Sequence, residues 1–232
     1  VQESRERVRA AIKNSGYAFP RGKVVVNLAP ADVPKSGPCF DLPIALGMIA
    51  LSSSLDGSES EKTLFFGELS LDGSLRHVDG MLGLTARAKE LGFRRLFVPQ
   101  VNAFEATLIP GLQIYGVESL QQVVDFLHGQ TDLEPFQAQD LRSYFESSQH
   151  PLVDFQSIKG QAHAKRALES AAAGSHNILF NGAPGSGKTM MAKALSGILP
   201  RLELSEALEV TKLYSLCGLL PEGMGLIRRR PF

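Results

Sequence analysis

The chain has 232 residues, 44% hydrophobic and 21% charged, and its 24 basic and 24 acidic side chains give a formal net charge of zero. That length supports one large or two modest cores, the charge balance lacks the excess of a DNA-binding arm, and no run is apolar enough to span a membrane. Two cysteines, Cys39 and Cys217, offer neither a disulfide framework nor a repeated zinc-ligand spacing, and read as buried thiols of a reducing, cytoplasmic compartment.

In chain order, residues 3–14 read as a charged amphipathic helix with Val8, Ala11 and Ile12 on one side. Lys23 to Leu28 reads as a short strand, and residues 42–51 as an apolar helix with Pro43 in its first turn. Residues 64–71 and 74–78 flank Asp72-Gly73, a hairpin signal. A helix over 81–90 ends near Gly92, strands follow at 95–98 and 113–117, and Ser119 caps a helix through Leu127. Residues 1–128 therefore read as a small α+β domain. The polar, acidic stretch 129–150, with one basic and four acidic side chains, reads as a linker.

Residues 151–232 carry ten basic and six acidic side chains. A helix over 160–173 stops at Gly174, a buried strand over 177–180 follows, and a helix runs from about Gly187 to Leu199 before Pro200. Ser205 is placed to cap one more helix. The order helix, strand, loop, helix opens a parallel α/β sheet.

Between that strand and helix lies Gly182-Ala-Pro-Gly-Ser-Gly-Lys-Thr189, a match to GxxxxGK[ST] in the structural context the motif requires. Such a turn directs backbone N–H groups at phosphate oxygens, and the helix behind it adds the positive end of its dipole. Gly182, Gly185 and Gly187 permit close approach; Ala183, Pro184, Ser186 and Met190 complete the cradle. Lys188 is the electrostatic partner of the β and γ phosphates, and the Thr189 hydroxyl is the magnesium ligand. ATP and Mg²⁺ are the implied cofactors. No aliphatic strand ending in an acidic pair follows Thr189, so the hydrolytic half of such a site is absent and no catalytic set is complete.

One other constellation has catalytic residue types. Cys39 lies just ahead of a helix, where a thiol pKa can be lowered, with Asp41, His77 and Asp79 in the same domain. Chain order does not bring them together, and the better reading of Cys39 is a packed small residue, with His77 at a surface or strand edge.

The residues from Asp154 to Gly174, His176 to Phe180 and the phosphate loop resemble the start of a magnesium-chelatase-like AAA+ ATPase of the bacterial YifB/ComM group. That resemblance implies that Ile158 and Gly160 line the adenine pocket, with Lys159 and Gln161 alongside. Phe40 to Leu46 and Phe66 to Arg76 are similar to the N-terminal domain of the same proteins. Its implied fold is that of the Lon protease domain, the ribosomal protein S5 domain 2 type. Lon has Gly-Pro-Ser and a lysine where this chain has Gly37-Pro38-Cys39 and Leu82. Leucine cannot accept a proton, so peptidase activity is not expected.

The expected organisation is a Lon-like non-peptidase domain over 1–128, a linker over 129–150, and the N-terminal part of an AAA+ domain over 151–232 without its Walker B strand. Val1 is not methionine and Phe232 closes no recognisable cap, so the sequence reads as truncated at both ends. The resemblance implies the ATP-binding part of a ring-forming, homohexameric motor on single-stranded or branched DNA, a branch-migration helicase of recombination or natural transformation. The 232-residue piece alone is expected to be monomeric. Two alternatives stay open: a nucleotide-switched adaptor without motor activity, and a magnesium-chelatase-type ATPase subunit. Arg228 to Arg230 are candidates for touching DNA.

Overall fold

A computed structural model describes residues 2–28, 37–52, 62–137, 145, 153–221 and 224–231. The chain divides into two compact units, Val1–Gln139 with Thr211–Gly225, and Asp140–Val210 with Leu226–Phe232. Most of the stretch 138–152 lies outside the described residues. Before it, Phe136 N donates to Ile114 O at 2.6 Å and Leu133 packs on the first unit's core.

The first unit is organised by a sheet whose strands are parallel. Strands β1 (Thr63–Phe65), β4 (Arg95–Pro99) and β5 (Gln113–Val117) lie in the order β1-β4-β5, with Phe65 opposite Phe97 and Phe97 opposite Tyr115. Side chains alternate between the faces. Phe97, Tyr115 and Val117 enter one cluster with Val8 and Ile12 of α1 (Gln2–Asn14), Leu42 and Ile49 of α2 (Asp41–Ala50), and Leu120 and Val124 of α5 (Leu120–Leu127). Leu96, Val98 and Ile114 enter the other with Met81 and Ala88 of α3 (Met81–Glu90), and Ala103 and Ala106 of α4 (Gln100–Thr107). Covering both faces explains the unbroken apolar run Leu96-Phe97-Val98. Rings stack across the strands, Phe65 to Phe97 at 5.0 Å and Phe97 to Tyr115 at 4.8 Å. The architecture is a mixed α/β one, with parallel pairing where the sequence reading has a plain α+β domain.

The hairpin at Asp72-Gly73 forms, but only from β2 (Glu68–Leu69) and β3 (Leu75–Arg76), with Glu68 opposite Arg76. The expected long first strand breaks at Gly67. Phe66 N still donates to Phe97 O in the parallel sheet, whereas Gly67 N turns to Cys39 O and Gly67 O accepts from Leu42 N. A Cβ at Gly67 would strike the Leu75 side chain and lie 3.3 Å from Leu42 Cβ, so this close approach requires glycine.

Three other expectations are corrected. Residues 23–28 form no strand among the described residues. Residues 176–180 form no strand either, and Leu179 is 91% exposed. A strand needs a neighbour to take its hydrogen bonds, and both sheets of the described residues lie in the first unit. Finally, α4 was not expected. Its buried face includes Asn102 and Glu105, which break the apolar period but are satisfied by bonds to Val78 N, Leu82 N and Ser215 Oγ.

The second unit packs a small core. A 3₁₀ turn (Phe155–Ser157), capped by Asp154, leads through Ile158 to α6 (Ala162–Gly174), followed by α7 (Lys188–Ile198) and α8 (Leu204–Leu216). Ile158, Leu168, Met191 and Ala194 are buried together, with Phe155, Ile178 and Phe180 against them. The start of α8 is capped differently from the expectation: the Glu206 carboxylate accepts from Glu203 N at 2.9 Å, and Ser205 lies inside the helix. The residues of α8 from Thr211 onward count with the first unit.

Candidate nucleotide-binding site

The loop from Asn181 to Gly187 connects residues 176–180 to α7, and Lys188 is the first residue of that helix. Two glycines make the turn possible. Gly185 and Gly187 have φ of 78° and 83°, and Gly187 is the N-cap of α7, its carbonyl accepting from Met191 N at 2.9 Å. A Cβ at either position would meet nothing within 4 Å, so the rim beside them is open. The fold thus exposes the loop while Met191 and Ala194, one turn on, anchor α7 in the core.

Lys188 folds back over this loop. Its Nζ donates to Gly182 O at 2.9 Å, Ala183 O at 2.7 Å and Ser186 Oγ at 3.4 Å. The ammonium group is thereby tied to three residues of the eight-residue motif. Thr189 and Met190 follow in the first turn of α7 and are exposed, Met190 at 41%. Gly182, Ala183, Pro184 and Gly185 are also exposed, and Ser186 is half-buried.

The residues assigned to the base pocket lie differently. Ile158 is 5% exposed and packs into the core with Leu168 and Met191, while Gly160, at φ 67°, is exposed on the way to α6. Gln161 precedes α6 in the left-handed region, and Lys165 places its ammonium 5.7 Å from the centre of the Phe155 ring.

No group of three His, Cys, Asp or Glu side chains among the described residues is arranged to hold a metal. Glu203, Glu206 and Glu209 lie at or near the start of α8. Glu206 is committed to Arg230 at 3.0 Å and to Glu203 N, and these bonds hold its carboxyl below the ordinary range, the backbone donor first. Arg230, considered for DNA contact, also donates to Pro200 O at 3.0 Å.

The thiol constellation is not assembled as a catalytic set. Burial pushes the Cys39 thiol above its ordinary pKa, in keeping with the packed small residue read from the sequence and against the lowered thiol a nucleophile needs. Asp41 is buried and holds Arg7 Nε at 2.7 Å and Ser4 Oγ at 2.6 Å. His77 pairs with Asp79 at 3.3 Å and contacts Asn102, and Leu82 is buried in the core. Sequence reasoning missed Asn102 and Glu105, whose polar character gave no sign of burial.

Two family models match the chain: "Subunit ChlI of Mg-chelatase" over residues 1–102 and "Magnesium chelatase, subunit ChlI" over residues 154–232. The competence protein ComM of Haemophilus influenzae is 43% identical over 217 residues, which are 93% of this chain and 42% of that protein. An uncharacterized protein YifB of Salmonella typhimurium is 45% identical over 216 residues, with the same shares of 93% and 42%. An uncharacterized protein of Mycobacterium tuberculosis strain H37Rv is 39% identical over 232 residues, the whole chain and 45% of the relative. The chain therefore spans less than half the length of the curated relatives it matches.

A glycine-turned loop with a lysine at the head of a helix, inside a match to the chelatase model, defines the class as AAA+-type nucleotide-binding proteins. Within that class, the chain belongs to the YifB/ComM family of magnesium-chelatase-like AAA+ ATPases.

Proposed function

We propose that this chain is the nucleotide-binding part of a ring-forming AAA+ motor that acts on DNA, a branch-migration helicase of recombination or natural transformation. The observation that carries the reading is Lys188 at the head of α7, centred over a loop whose glycines leave its rim open. The name of the Haemophilus relative, a competence protein, supports the DNA setting.

The loop fits a nucleoside triphosphate with magnesium. Its outer rim is unobstructed at Gly185 and Gly187, and its cation is held by the loop's own carbonyls. Lys188 exchanges its bonds to Gly182 O and Ala183 O for phosphate oxygens, and the backbone N–H groups at the start of α7 donate to the remaining phosphate oxygens. Thr189 supplies a hydroxyl to the metal, and Ile158 with Gly160 borders the base. When bound, magnesium neutralises developing phosphate charge. For the first unit the proposed fold is the Lon-like, S5 domain 2-like one with no peptidase activity, and the proposed assembly is a homohexamer around DNA.

The test uses the protein at the length of its relatives, with branched DNA and ATP. Strand exchange in the parent and its loss in Lys188→Ala is the expected result. Full ATP turnover with no movement of any DNA substrate defeats the motor reading. The family models' own descriptions favour a second reading, a chelatase-type subunit. It predicts ATP turnover stimulated by a metal-inserting partner and indifferent to DNA.

A further inference from the structure

The zero net charge of the whole chain hides a local excess. Residues 1–28 carry six basic and two acidic side chains, and α1 sets three of the cations in a row. Arg5, Arg9 and Lys13 recur at every fourth residue, so they share one side of the helix, successive charges about 6 Å apart along its axis. All three are exposed, and among the described residues none of them is in an ion pair. The other sides of α1 are committed. Val8, Ala11 and Ile12 are buried in the core, and Ser4 and Arg7 both hold Asp41, at 2.6 and 2.7 Å, which fixes the side turned to solvent. Arg9 lies over the Phe19 ring, 5.4 Å from its centre, a cation–π contact that holds the guanidinium at the surface. Arg21 and Lys23 are exposed as well, and Lys23 lines the same groove as Arg5. Glu6 is the one exposed acid among the described residues of α1.

Cations at an even pitch complement a backbone that repeats an anion at an even pitch, whereas the acidic side chains of a protein keep no fixed spacing. A lipid surface fits less well, because an interfacial helix needs an exposed apolar face and that of α1 is buried. On the reading that the protein acts on DNA, on which this rests, we infer that the exposed side of α1 is a second contact surface for the nucleic acid, on the first unit and apart from the nucleotide loop. Arg5, Arg9 and Lys13 grip successive phosphates of one strand. Contacts to phosphates carry no base information, so the surface holds DNA of any sequence.

Fluorescence anisotropy of a labelled single-stranded oligonucleotide tests this on the protein at the length of its relatives, without ATP, between about 50 and 200 mM salt. Arg5→Gln, Arg9→Gln and Lys13→Gln combined are expected to weaken binding about tenfold or more, and to lower the slope of log K against log salt by about 2, as for three phosphates of a single strand. Arg5→Lys, Arg9→Lys and Lys13→Arg combined are expected to keep both. A control without three other exposed cations of the first unit, Arg87→Gln, Lys89→Gln and Arg94→Gln, is expected to keep the parent slope. Circular dichroism on each variant separates loss of the contact from loss of the fold. An unchanged slope in the α1 glutamine variant overturns the assignment and leaves the DNA reading in place; a parent that binds no DNA even at low salt removes both. An equal fall in the control makes the effect one of overall charge and overturns it. So does competition on equal terms by poly-glutamate or by vesicles of anionic phospholipid, since either makes the surface one for another partner.

Discussion

At the scale of single residues, Lys188 and Cys39 make opposite lessons. Lys188 gives three bonds to its own loop and on the proposed reading is the group a phosphate recruits, so Lys188→Ala is expected to weaken ATP binding by about tenfold or more, read by calorimetry. Its position at the head of α7 was legible because the motif is a local chemical spacing that opens a helix. The state of Cys39 was not, because its pKa depends on burial among side chains distant in sequence. With its thiol pushed up and Cys217 exposed, iodoacetamide at neutral pH is expected to label Cys217 well before Cys39, as peptide mapping will show. Tyr17 titrates in the same sense. Burial, then the charge and hydrogen bond of Asp125, push its phenol up to about 12. The folded state thus holds a proton that the unfolded state releases near the ordinary value. Stability from this group is complete below about pH 10 and is lost as pH rises toward 12. The decline in urea midpoint over that range is expected to be smaller in Tyr17→Phe.

At the scale of elements, glycine and cap positions decide where strands and helices begin. Gly67 marks the point where the chain leaves the parallel sheet for the hairpin, and Gly67→Ala would press a methyl group against Leu75 and Leu42. A loss of about 1–3 kcal/mol in denaturant unfolding is expected. Ser119 accepts from Gln122 N at 3.2 Å, and Ser119→Ala is expected to cost about 1 kcal/mol by the same measurement. The Ser119 cap and helices α1, α2 and α3 could be read from the sequence, since their signals are local. Pairing could not. Thr63–Phe65 joins β4, some thirty residues away, rather than the adjacent hairpin, and residues 23–28 and 177–180 have strand character with no described neighbour. Helix α4 escaped notice because Asn102 and Glu105 bury polar groups that only the folded arrangement satisfies.

At the scale of the whole molecule, the two units differ in what they can do alone. The first has a sheet covered on both faces; among the described residues no helix is long and apolar enough to cross a membrane. The second has the glycine-rich loop with Lys188, and Glu203, Glu206 and Glu209 lie at or near the start of a helix rather than at the end of a strand. The 232-residue chain is accordingly expected to bind ATP without turnover above background, measured as released phosphate. The hold that Gly182 and Ala183 keep on Lys188 has a consequence for selectivity. A small anion offers the ammonium group little more than the two carbonyls it must abandon, whereas a triphosphate replaces both and reaches the α7 amides as well. On the proposed reading the loop is a threshold, discriminating by the number of oxygens presented together, and inorganic phosphate is expected to be a poor competitor for the nucleotide.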